Sequence, residues 1–189
     1  MKKILLLLFT LRLLAGTAPA EKIDLGAGRT AHLTVPESWQ AAELPAAGPG
    51  QPTVGVNARY VPRSGSNDAV FISFLIVPDD RFGDRDNLQT LIEESTQEFA
   101  AGSVEGKAIL KVLKLAGKSG YSCTFTDANL VGKPSVKDDY KTLTSCFVYL
   151  GNHVMLSATV FSDDLAGKGF AEGLRLLKSI SLQLPKDTI

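Results

Sequence analysis

The chain has 189 residues, with twenty basic and twenty acidic side chains, 44% hydrophobic residues and two cysteines. That length predicts one domain with a sizeable core. The even charge balance lacks the basic footprint of a nucleic-acid binder, and two cysteines without a C-x-x-C pair or a neighbouring histidine make no metal framework.

In chain order, Lys2 and Lys3 form a positive start, Ile4 to Phe9 an apolar run, and Ala18-Pro19-Ala20 an A-x-A cleavage pattern. This reads as a secretory signal peptide over residues 1–20, followed by a single domain over 21–189. The apolar stretch falls short of the roughly 20 residues that span a bilayer. Arg12 also interrupts it, at a cost of roughly 2.5–3.5 kcal/mol on insertion scales. Cleavage after Ala20 would remove Lys2, Lys3 and Arg12 and no acid, leaving a net charge near −3. The expected location is periplasmic or secreted. No later segment approaches membrane length, and no cysteine lies near the cleavage site to carry a lipid.

Lys22 to Leu25 and Arg29 to Val35 read as a hairpin around Gly26 to Gly28. Ala41 to Pro52, with Pro45, Pro49 and Pro52, reads as a long surface loop. Val54 to Val61 alternates as a strand, and Ala69 to Val77 is apolar enough for a strand covered on both faces. Asn87 to Ala101 is a helix with the stripe Leu88, Leu91, Ile92, Ser95 and Phe99. Asp86 is its expected N-cap, with Gln89 completing a capping box, and Gly102 is its stop.

Ala108 to Ala116 is a strand of ambiguous facing. Gly120 to Thr126, Lys141 to Leu150 and His153 to Ser162 form an antiparallel meander, with Gly151-Asn152 as the last tight turn. A helix from about Asp164 to Ser179 carries Phe170, Leu174 and Leu177 on one face. Its glycines, Gly167, Gly169 and Gly173, each cost up to about 1 kcal/mol relative to Ala, which a close helix–sheet approach would explain. Ser181 to Leu184 closes the chain. Strand runs punctuated by helices predict an α+β fold, an antiparallel sheet flanked by helices.

Thr34-Val35-Pro36-Glu37-Ser38-Trp39 is similar to the V-P-x-x-W segment near the start of PsbP-like domains. Leu174-Arg175-Leu176-Leu177-Lys178-Ser179-Ile180-Ser181 resembles their closing helix and short terminal segment. The element order between the two is similar as well. The chain therefore resembles the PsbP-like, or Mog-type, family. The resemblance implies the same antiparallel sheet between helices. It implies no chemistry, because members of the family bind dissimilar partners.

Candidate sites are few. His32 and His153, the only histidines, each fall in an expected strand, with no acid or thiol at a telling spacing. The run Asp79 to Asp86 holds four carboxylates, but the EF-hand pattern fails: counting from Asp84 puts Leu88 at position five and no glycine at six. These acids suit the start of the following helix better than a metal. Ser64, Gly65, Ser66, Asn67 and Asp68 make a strand-connecting turn and a possible partner-binding loop. Trp39 reads as a core residue. G-x-S-x-G, H-E-x-x-H, the P-loop and G-x-G-x-x-G are all absent from the sequence, so no catalytic residue, metal or cofactor is implied.

Cys123 and Cys146 are the expected disulfide. If their strands form a hairpin turning near Pro134-Ser135, the two lie opposite each other. Opposed residues at a non-hydrogen-bonded pair have Cα atoms about 4.5 Å apart, within disulfide range. The enclosed loop of about two dozen residues would contribute roughly 3 kcal/mol. Taken together, the sequence reads as an exported, non-catalytic binding module of unknown protein or envelope partner. An inhibitor or immunity protein that blocks an enzyme is the second reading, and a hydrolase with an unrecognised site the third.

Overall fold

A computed structural model describes residues 20–44, 55–115 and 117–185. The expected signal peptide, except for Ala20, lies outside the described residues, as do residues 45–52 of the Ala/Gly/Pro-rich segment, the first residue of the expected Val54 to Val61 strand and the last of the expected Ala108 to Ala116 strand. Two hairpin strands, β1 (Ala20–Asp24) and β2 (Thr30–Thr34), precede β3 (Trp39–Ala42), β4 (Val56–Pro62) and β5 (Asp68–Ile76). A single 3-10 turn at Arg81–Gly83 leads into α1 (Arg85–Ala101). There follow β6 (Lys111–Leu115), β7 (Lys118–Thr126), β8 (Thr142–Gly151), β9 (Val154–Ser162), α2 (Lys168–Lys178) and β10 (Ser181–Gln183).

Seven strands form one antiparallel sheet in the order β3-β4-β5-β9-β8-β7-β6, and β1-β2-β10 form a second, small sheet. Strand alternation divides the core between the two faces of the large sheet. Val70, Ile72 and Phe74 of β5, Cys146 and Val148 of β8, and Leu156 and Val160 of β9 pack with α2 and the small sheet, through Leu176, Leu177, Ala31 and Leu33. On the other face Tyr121, Cys123, Phe125 and Phe147 pack with α1, through Leu88, Ile92 and Ala100. The architecture is the expected α+β arrangement of an antiparallel sheet flanked by helices.

Several details differ from the sequence reading. β5 is sealed on one face only: Val70, Ile72 and Phe74 are buried on the α2 side, whereas Phe71, Ser73 and Leu75 on the other side are half-buried, because α1 packs on β7 and β8. Helix α1 begins two residues earlier than expected. Asp84, not Asp86, is its N-cap, and its carboxylate accepts from the Asp86 and Asn87 amides. The buried stripe of α1 is Leu88, Ile92, Thr96 and Ala100, while Phe99 is 48% exposed. Ala41 and Ala42 belong to β3, not to a loop. The Gly151-Asn152 turn does form, but His153 sits in it with φ 61° and not in the following strand.

Helix α2 approaches the sheet closely, as its glycines suggested. A Cβ on Gly173 would lie 3.0 Å from both Val160 Cγ1 and Val70 Cγ2. Beside it Trp39, 1% exposed, confirms a core role. Its indole Nε1 donates to Glu172 Oε2 at 3.1 Å, and Ser38 Oγ donates to the same oxygen at 2.9 Å. Burial pushes the Glu172 carboxyl up, but these two donors, with Lys168 and Arg175, outweigh it and hold the pKa below the usual value.

The expected disulfide is not formed: Cys123 and Cys146 are free, buried thiols. The β7–β8 register pairs Cys146 with Ser122 and Cys123 with Ser145. That is one residue away from the expected alignment, and a one-residue shift flips every side chain to the other face. Cys123 therefore faces α1 and Cys146 faces α2. Burial pushes the Cys146 thiol up to about 12, so its thiolate is negligible at neutral pH.

Two predictions follow from this packing. Thiol titration without reductant should find neither cysteine reactive in the native protein and both reactive after denaturation; a denatured protein with no free thiol would restore the bond and the shifted register. Glu172→Ala should destabilise by about 2 kcal/mol, by stranding the Trp39 and Ser38 donors. Because the folded pKa is depressed, this contribution is complete above the ordinary glutamate range and is lost as pH falls through the folded value. Thermal melts of the two proteins should therefore converge in acid.

Candidate functional site

The uncovered part of the α1 face supplies the candidate site. Helix α1 packs on β7 and β8 and stops short of β6. The gap is a groove of about 480 Å³ between the start of the helix and the ends of β6, β7 and β8. Its floor is Leu88, Val112, Tyr121 and Tyr149, and Val112 is 59% exposed.

Strand alternation delivers the charges. Val112 and Lys114 of β6 share a face, and the register sets them opposite Tyr121 and Ser119 of β7. Lys114 Nζ donates to Ser119 Oγ at 2.6 Å. Arg85, in the first turn of α1, donates from Nε to the Tyr121 hydroxyl at 3.0 Å. That hydrogen bond raises the pKa of a guanidinium already charged at any working pH. Lys118, the first residue of β7, completes the set. Between Ser119 and Tyr121, Gly120 faces the opposite side of the sheet, where a Cβ would run into the Phe147 carbonyl oxygen and the Val148 side chain.

Arg85, Lys114 and Lys118 thus converge on one groove, and among the described residues no Asp or Glu lines it. The acids of the Asp79–Asp86 run border the groove without lining it, and Asp86 adds to the raised pKa of Arg85. Asp84 caps α1, Asp79 accepts from the Arg81 amide, and Asp80 accepts from the Tyr149 hydroxyl with His153 Nδ1 at 3.9 Å. Among the described residues, no group of three or more His, Cys, Asp or Glu is placed to hold a metal ion. Chemically the groove suits an anionic group on an apolar or aromatic body.

The expected partner loop, Ser64 to Asp68, connects β4 to β5 on another side of the molecule. Asn67 anchors it. Its Nδ2 donates to Val136 O at 3.0 Å, Asp139 O at 3.2 Å and Asp163 Oδ2 at 2.9 Å, and its Oδ1 accepts from the Asp138 amide at 2.9 Å. Asp68 accepts from Ser66 at 2.8 Å and Ser162 at 2.7 Å. The outer residues Ser64, Gly65 and Ser66 are exposed, with Gly65 at φ 75°. The histidines are not brought together. His32 Nε2 pairs with Gln183 Oε1 at 2.8 Å, across β2 and β10, while His153 lies beside Asp80.

Sequence reasoning missed Arg85, Lys114 and Lys118 as a group. They come from one helix and two strands, and the facing of β6 is ambiguous without its partner. The usable signal was local: Lys114 shares period-2 parity with the exposed Val112 and not with the buried Leu113 and Leu115.

No protein-family model matches the chain, and no curated protein matches it. Solved structures do share its fold. The cyanobacterial PsbP of Synechocystis is similar at a TM-score of 0.52 and 11% identity, over 89% of this chain and 95% of that one. The Ran-binding protein Mog1p of Saccharomyces cerevisiae gives 0.44 and 14%, over 88% and 96%. LpqN, involved in cell envelope biogenesis of Mycobacterium tuberculosis, gives 0.39 and 13%, over 87% and 91%. The fold is PsbP-like, as the segments around Trp39 and Leu174 suggested, and likeness at these identities concerns the fold alone.

The anchoring of the Ser64–Asp68 loop is testable. Asn67→Ala removes four hydrogen bonds at a half-buried site and should destabilise by about 2–3 kcal/mol in urea unfolding. A change below about 0.5 kcal/mol would mean that the loop is held by something else.

Proposed function

We propose that this chain is an exported, non-catalytic binding module that takes a negatively charged group of its partner into the α1–β6 groove. The carrying observation is the convergence of Arg85, Lys114 and Lys118 in a groove that no carboxylate lines among the described residues. A chain that would carry a net negative charge after cleavage concentrates three cations there. Such a patch steers and selects an anionic partner more than it adds raw affinity. Arg85 is oriented by Tyr121, whereas the two lysine ammonium groups adapt to their ligand. The floor of Val112, Leu88 and the two tyrosines adds apolar contact beside the charges. Export rests on the Lys2-Lys3 start, the apolar run and the Ala18-Pro19-Ala20 site.

The inhibitor reading draws on one observation. Ser64, Gly65 and Ser66 form an exposed tip on a loop pinned by Asn67 and Asp68, and a pinned tip loses little entropy on entering a cleft. Its partner would bind on a different side from the groove, so groove variants separate the two readings.

Calorimetric titration with tripolyphosphate, a compact polyanion, tests the groove. One-to-one binding should weaken as salt is raised from 50 to 500 mM and should be abolished by Lys114→Glu/Lys118→Glu. Equal binding by wild type and the double variant would remove the groove from the function.

A further inference from the structure

We propose that the free edge of β6 accepts an extended, acidic segment of a partner protein as an eighth strand, whose alternate side chains reach the cationic groove. This inference rests on the groove reading and names the partner class.

β6 ends the seven-stranded order and pairs only with β7 among the described residues. An edge strand presents a row of backbone N–H and C=O groups that another chain can pair with. At about 3.3 Å per residue, its five residues offer a ladder of roughly 16 Å. The apolar surface on and before this edge is uncovered: Val112 is 59% exposed and Ile109 51%. Helix α1 packs on β7 and β8, and among the described residues no helix or strand packs on the groove face of β6 beyond its pairing with β7.

Charge decides which strand fits. An added strand would lie about 4.8 Å from β6, with every second side chain on the groove face. Those side chains would meet Val112 and Lys114 first, with Lys118 and Arg85 bordering the same groove. Opposite charges across a strand pair are favourable and like charges are not. Lysines on an edge ordinarily repel incoming strands. Here Lys114 on the groove face and Lys111 on the other reject neutral or basic segments and admit an acidic one. The same argument disfavours a second copy of the chain, because Lys-Val-Leu-Lys-Leu against itself sets lysines near lysines. A partner with alternating acidic and β-branched residues satisfies both the edge and the groove, through main-chain ladder bonds for affinity and side-chain pockets for specificity.

The test uses an acetylated, amidated (Glu-Val)₃ peptide and two versions of it, N-methylated on the odd or on the even residues. The parent should bind, and the amides of residues 111–115 should gain hydrogen-exchange protection. One methylated version should lose at least about tenfold in affinity while the other keeps it, because only alternate amides face the ladder. Val112→Glu, at an exposed position, should weaken the peptide by at least about tenfold with an unchanged circular-dichroism spectrum. Equal binding of all three peptides, or no protection in β6, would overturn strand addition. So would tighter binding to phosphatidylglycerol vesicles than to the peptide. Tripolyphosphate binding without peptide binding would also overturn strand addition while leaving the groove reading intact. Loss of both would reject the groove reading itself.

Discussion

The nine-residue antiparallel pairing of β5 with β9 is the constraint on which the rest of the molecule depends. β5 ends the N-terminal run of strands and β9 ends the meander, so this one ladder joins two halves distant in sequence into a single sheet. Its closure entropy is offset only when the apolar faces on both sides are buried. On one side Val70, Ile72 and Phe74 meet Leu156, Ala158 and Val160 under α2. The ladder also fixes where the sheet ends: β3 becomes one edge and β6 the other.

With the sheet set, the two helices do different work. α2 lies so close to β5 and β9 that Gly173 has no room for a side chain, and Glu172 reaches Trp39 and Ser38 across the same contact. That side is tightly packed and fully used. α1 covers only β7 and β8 on the other face. The strip of β6 it leaves bare carries Val112 and Lys114, and the first turn of α1 brings Arg85 to the same place. The candidate site therefore follows from the sheet running one strand past α1 at its β6 edge, with cations at the margin.

The cysteines show how much hangs on register. Sequence placed both in adjacent strands, correctly, and a turn centred near Pro134-Ser135 would have set them face to face. The observed alignment differs by one position, pairing Cys123 with Ser145 and Cys146 with Ser122. One position sends the two thiols to opposite faces, into separate apolar clusters. A similar shift of two residues moved the cap of α1 from Asp86 to Asp84. Both acids were visible as first-turn candidates, but which of them adopts the extended cap conformation is settled where the preceding 3-10 turn ends.

Local chemistry was legible in the sequence because it acts over a few residues. Period-2 runs gave the strands, glycine-rich turns gave the hairpins, helix α1 was found with its Gly102 stop, and Trp39 was read as core. The α+β fold itself followed from element order and from the segments around Trp39 and Leu174. Tertiary structure alone decided the register of β7 on β8, the face of β6, the opposite facing of the two cysteines and the meeting of Arg85, Lys114 and Lys118. Each of those depends on which atoms lie across a strand or under a helix. Such contacts are made between residues far apart in the chain, where hydrophobic periodicity and turn chemistry carry no information about partners.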